Sequence, residues 1–236
     1  MSVSDLRLRL PGSRPARLTV LPWAACAGAL VVAGVGLGLT VAGRFLGTPL
    51  APFLMSWQPR IDPLVWVSVV SIAGALVVAP AILERLRSPA AVAGSLYLLA
   101  AGLGLAVNLG HGGTRGWWAV FATGAHGSFE GNFEYLPGLP LLRDGVGNYL
   151  AHFGALLTYA TTHIKGNPPG PLLALHLLGV HDAPQMAALC VGIGALSAPL
   201  AYDLGRGLGG ERRGRMAGLL VSFSPAVLLF GVSSAD

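Results

Sequence analysis

Residues 88–115 read SPAAVAGSLYLLAAGLGLAVNLGHGGTR, and this stretch decides the class of the fold. Until its closing arginine it contains no Asp, Glu, Lys or Arg. About 20 consecutive apolar residues carry a helix across a bilayer core, because each residue advances the helix by ~1.5 Å. This run is long enough. Four others match it, between Arg17 and Arg44, Asp62 and Glu84, Asp182 and Asp203, and Arg215 and Asp236. Hydrophobic residues make up 53% of the chain and charged residues 11%, against about a quarter charged in a soluble domain. The expectation is an all-α integral membrane protein with about five transmembrane helices, near 18–42, 63–82, 90–108, 184–204 and 216–233. The first apolar core is longer than the ~7–15 residues of a cleaved signal, so it reads as a signal anchor or first span. Cys26 and Cys190 fall inside spans and read as small apolar residues.

Charge placement sets the expected orientation. The net charge is +5 and the pI about 9.8, but the arginines are grouped. Arg7, Arg9, Arg14 and Arg17 precede the first span, Arg85 and Arg87 follow the second, and Arg206, Arg212, Arg213 and Arg215 separate the fourth from the fifth. With the N-terminus cytoplasmic, all of these lie inside, as the positive-inside rule requires. The basic balance is a topology signal rather than a nucleic-acid footprint. The expected organisation is a cytoplasmic tail over 1–17, two spans within 18–88, and a second part over 89–236. That part holds one span, an extracytoplasmic loop over 110–183 and two further spans, in the plasma membrane. The run GVGNYLAHFGALLTYATTHI, residues 145–164, is also free of Asp, Glu, Lys and Arg. As a span it would carry the GERRGR cluster outside, and its Asn, His, Thr and Tyr residues suit an interface. The expectation is an amphipathic helix on the outer membrane surface.

The polar chemistry is concentrated in the long loop. All 6 histidines lie there, with Glu130, Glu134, Asp144, Asp182 and Lys165, the only lysine. In GSFEGNFEYLPGLP, residues 127–140, Glu130 and Glu134 are four apart and share a face on a helical turn. Two neighbouring carboxylates do general-base work, bind a divalent cation through oxygen, or stand solvated in a loop. Spacing alone leaves these open. The histidines show no close ligand spacing, so no metal site and no cofactor are indicated, with a divalent cation at the carboxylates the open alternative. In HIKGNPPGPLLALHLLG, residues 163–179, Pro168 and Pro169 stop a helix, and Pro171 suits the first turn of the next one. The free N–H groups of that turn attract anions, and His163 and Lys165 lie just upstream. A turn without ligand is the equal alternative.

An acidic residue beside a tyrosine in the first external loop, then an interfacial segment, then a Pro-Pro motif: this order resembles the GT-C superfamily of membrane glycosyltransferases. More narrowly it is similar to the protein O-mannosyltransferase and aminoarabinose-transferase branch and its actinobacterial membrane relatives. FEGNFEYLP stands for the acidic motif and GNPPGPLLALHLL for the Pro-Pro motif, and the resemblance covers 90–236. It implies an inverting transferase that takes a sugar from a polyprenyl-phosphate donor at the extracytoplasmic face and passes it to an acceptor hydroxyl. Glu134 would be the catalytic base, with Glu130 second. Lys165, His163, Asn167 and Gly170 would surround the donor phosphate. Two positions depart from the branch: Asn167 stands where His or Lys is usual before the prolines, and Gly170 where Leu is usual. The family also has more helices than this chain supplies, so the chain reads as the N-terminal portion of a larger protein. The alternative is a non-enzymatic multi-pass membrane protein, a transporter or assembly subunit, whose external loop binds a partner.

Overall fold

The computed structural model describes residues 62–124 and 130–228, with scattered positions between 27 and 44. Two compact units are present, Met1–Pro59 and Arg60–Asp236. In the first, the described residues between 27 and 41 are helical. The rest of the expected first span, and the tail over 1–17, lie outside the described residues.

The second unit opens with an antiparallel helix pair, α1 (Val65–Arg85) and α2 (Pro89–Gly112). Asp62 starts α1, its Oδ1 accepting from the Leu64 N–H at 2.8 Å. Ser88 in an extended conformation and Pro89 in the first turn start α2, the position where a missing N–H costs nothing. Val92, Leu96, Ala100, Leu103 and Ala106 recur every three or four residues along α2 and are all buried, which is one helical face turned inward. Trp66, Val70, Val77 and Leu98 stay exposed.

Three helices among the described residues are long and apolar enough to cross a membrane: Val65–Arg85, Pro89–Gly110 and Ala183–Gly209. The third is longer than the expected 184–204, and it is two pieces, α7 (Ala183–Ala195) and α8 (Ser197–Gly209), joined at Leu196. Pro199 has no N–H to give the Ala195 carbonyl, which loosens the ladder at that turn. The Ser197 hydroxyl donates to the Gly194 carbonyl there at 2.7 Å. The expected fifth span over 216–233 is described as far as residue 228, helical to Ser222 and again over 225–228. Helix α9 begins at Glu211 and ends at Ser222, just before Ser224 and Pro225, where proline disfavours helix in the residue ahead of it. Residues 229–233 lie outside the described residues.

Helices α8 and α9 form a tight hairpin about Gly210, whose φ of 82° favours glycine. Close packing depends on small residues. A Cβ at Gly214 would lie 2.7 Å from the Tyr202 carbonyl oxygen, and one at Gly218 would overlap Leu96 Cδ1. Leu83, Val92, Leu96, Ala100, Ala195, Ala198 and Tyr202 make the bundle core. At this end Arg215 ties α9 to α1. Its Nη2 donates to the Leu86 carbonyl at 2.8 Å and its Nη1 to the Leu83 carbonyl, which also accepts the Leu86 N–H at the helix end.

The loop between α2 and α7 folds on its own core at the opposite end of the bundle. Phe121, Tyr135, Leu142, Tyr149, Ile164, Leu172 and Leu175 are buried together with Ala183, Met186 and Ala187 from the first turns of α7. The single amphipathic helix expected over 145–164 is instead segmented. It comprises α3 (Val146–Ala151), α4 (Phe153–Leu156), a 3-10 turn over Leu157–Tyr159 and then α5 (Thr162–Gly166). Gly154 and the β-branched Thr158, Thr161 and Thr162 are weak helix formers, and Ala160 is extended. Burial of Tyr149 and Ile164 in the loop core outweighs a continuous helix. Helix α6 (Gly170–Leu177) follows the prolines, with Pro171 in its first turn as the sequence predicts.

Candidate functional site

The acidic motif lies in a bend between two 3-10 segments, Glu130–Asn132 and Leu136–Leu142. Gly131 permits the close approach that starts it, since a Cβ there would overlap the Ala122 carbonyl oxygen. Pro137 and Pro140 fix the second segment, which packs Gly138 against Ile164 and Leu172. These contacts draw the acidic bend onto α5 and α6, the helices on either side of the Pro-Pro turn.

The two motifs meet directly. The His163 N–H donates to the Phe133 carbonyl at 3.1 Å, and the Tyr135 and His163 rings stand edge to face, with centroids 5.8 Å apart and planes at 61°. Such a pair holds ring orientation as well as contact. Tyr135 is buried and Glu134 is only 3% exposed. The Tyr149 hydroxyl is fully buried and makes no hydrogen bond to a described residue, and burial pushes its pKa up.

The remaining predicted positions lie on the outer side. The Asn167 side chain donates to the His163 carbonyl at 2.9 Å, which ends α5 and spends its amide on the backbone. Lys165 and Gly170 are exposed. The Lys165 side chain forms no hydrogen bond or ion pair with a described residue, leaving its ammonium for solvent or ligand. Thus the fold joins Glu134, Tyr135 and His163 in one cluster, with Lys165, Asn167 and Gly170 along its exposed margin. Glu130 lies at the head of the bend, set by its backbone. Among the described residues no three of His, Cys, Asp and Glu converge as ion ligands.

A cleft of about 280 Å³ borders the bend, lined by Phe121, Thr123, Leu136, Pro137, His181 and Asp182 among others. Asp182 caps α7, accepting from the Gln185 N–H at 2.8 Å, while Gln185 Oε1 accepts from the His181 N–H at 2.7 Å. This near-reciprocal cap is legible in the sequence as D-x-x-Q before an apolar run. The cleft is not, because Phe121 and Asp182 reach it from opposite ends of the loop. In comparisons with known proteins, no family model, no curated protein and no solved structure matches this chain.

Proposed function

We propose that this chain is a membrane glycosyltransferase that moves a sugar from a polyprenyl-phosphate donor to an acceptor hydroxyl at the extracytoplasmic face. One observation carries the reading: the acidic bend and the Pro-Pro turn, separate in sequence, are bonded to each other through His163 and Phe133. A base for the acceptor and a cradle for the donor phosphate must lie side by side, and this contact supplies that adjacency. In the reaction the acceptor oxygen attacks the anomeric carbon as Glu134 takes its proton. The bond from that carbon to the phosphate oxygen breaks, and polyprenyl phosphate leaves with the electron pair. Attack opposite the leaving group inverts the centre. Lys165, His163 and the backbone about Asn167 and Gly170 offset the phosphate charge. Glu130 is the reserve base. The chain works as a five-span protein of the plasma membrane with its N-terminus and arginine clusters cytoplasmic. The gathering of Arg85, Arg87 and the α8–α9 arginines at the end away from the loop supports that orientation.

A second reading is favoured by the burial of Glu134. A carboxylate covered by protein suits a structural role in a non-enzymatic membrane protein whose loop binds a partner. Glu134→Gln separates the two. Loss of transfer with intact membrane insertion supports the enzyme, and unchanged transfer in both Glu134→Gln and Glu130→Gln removes the base assignment.

A further inference from the structure

The arginines at the bundle end opposite the loop form a surface whose chemistry the sugar-transfer reading does not use. Sequence separates them: Arg85 and Arg87 belong to the α1–α2 connection, Arg212 and Arg213 to the start of α9. Arg215 brings them together, because its bonds to the Leu83 and Leu86 carbonyls seat the start of α9 on the end of α1. The local acids are largely consumed within the protein. Glu211 holds Arg215 at 2.9 Å and accepts the Tyr202 hydroxyl at 3.0 and 3.1 Å. Asp203 lies 3.9 Å from Arg206. Glu84 is the acid that remains among the described residues. Arg85, Arg87, Arg212 and Arg213 are all exposed, with no ion pair to any described residue.

This basic surface is continuous with hydrocarbon. Val77, Val78 and Ile82 lead to it along α1, and Leu200, Leu204 and Leu208 along α8, all of them exposed. The α8 stripe advances four residues at a time, so it occupies one face from the first turn of the helix to the last turn before the arginines. Exposed aliphatic stripes that end in a ring of guanidiniums match a bilayer core meeting its headgroup layer, where arginine pairs with phosphate through two N–H bonds.

We propose that Arg85, Arg87, Arg212 and Arg213 form a seat for anionic phospholipid headgroups, joining the α1–α2 connection to the α8–α9 hairpin. The inference rests on the membrane-spanning part of the reading above and is independent of sugar transfer. A soluble acidic partner fits less well, because the flanking stripes would hold it against lipid.

The test uses the full chain reconstituted in phosphatidylcholine vesicles carrying spin-labelled phosphatidylglycerol or spin-labelled phosphatidylcholine as probes. The relative association constant of the two labelled lipids at the protein surface is the readout. The wild type prefers phosphatidylglycerol. The preference falls with each arginine removed, by roughly fivefold in all, and it falls towards unity in the variant carrying R85Q, R87Q, R212Q and R213Q. It survives when the same four positions become lysine, and it weakens with salt. Equal association of the two lipids with the wild type overturns the proposal, as does a preference untouched by the four glutamines. Displacement of the labelled phosphatidylglycerol by an RNA oligonucleotide or an acidic peptide at equal charge overturns it too. Failure of the chain to enter vesicles is a different result, and refutes the membrane reading itself.

Discussion

Replacing Arg215 by Gln removes the contact that joins α9 to the end of α1. The side chain is 18% exposed, and its guanidinium serves the Glu211 carboxylate and two carbonyls at the end of α1. A hydrogen bond involving a charged group is worth about 1.5–3 kcal/mol. The pair with Glu211, whose side chain is 42% exposed, adds no more than about 0.5 kcal/mol. Water reaching the vacated carbonyls restores part of the loss, so the expected cost is about 2–3 kcal/mol, or roughly 4–12 °C in Tm for a chain of this size. Thermal unfolding of the reconstituted protein measures it. Hydrogen exchange should locate it, with the amides around 83–89 losing protection while those of the loop core keep theirs. Arg215→Lys should recover less than half, because one ammonium cannot span both carbonyls. A Gln variant melting within about 1 °C of the wild type would refute the view that this residue fastens α9 to α1.

Three further outcomes follow from the same geometry. Bonds from Arg215, then from Tyr202, with the charges of Arg215 and Arg206, hold the Glu211 carboxyl below its usual range. Its stabilising effect is therefore complete above the ordinary glutamate range and lost as pH falls through the depressed folded value. A pH series of melting curves should show an acid limb that Glu211→Gln flattens. Tyr149→Phe deletes a buried hydroxyl that has no hydrogen bond; the variant should match the wild type or gain up to about 1 kcal/mol in denaturant or thermal unfolding. Gly131→Ala drives a methyl into the Ala122 carbonyl. It should displace the acidic bend and weaken the loop core by about 1–3 kcal/mol, read as faster proteolysis of the loop while the spans stay protected.

The membrane helices were legible because lipid selects on one-dimensional properties. The runs over 63–83, 88–114 and 183–202 lack charge for as long as a bilayer is thick, and each carries a helix of the second unit long enough to span. Their ends were less legible, since Gly209 and Gly210 stop α8 later than hydropathy does, and the run is divided at Leu196, ahead of Pro199. Over 145–164 the segmentation was not legible: the run is broken into short helices, with Tyr149, Ala160 and Ile164 buried in the loop core and most of the rest exposed. In the candidate site, the residue types and the turn at Pro168–Pro169 could be read directly. The partnership of His163 with Phe133 and Tyr135 could not, because it joins segments some thirty residues apart through packing about Gly138. Arg215 was read only as a topology charge. Its role as a cap for α1 depends on a hairpin geometry that no local pattern encodes.

The most direct test is sugar transfer itself. Membranes containing the wild-type chain, the Glu134→Gln variant or the Glu130→Gln variant are given a radiolabelled polyprenyl-phosphate sugar, and label on acceptor hydroxyls is counted, with membrane insertion measured in parallel. The account predicts transfer by the wild type and a loss of at least about a hundredfold in Glu134→Gln at equal insertion. Equal label with wild type and both variants, or none above empty membranes, contradicts it.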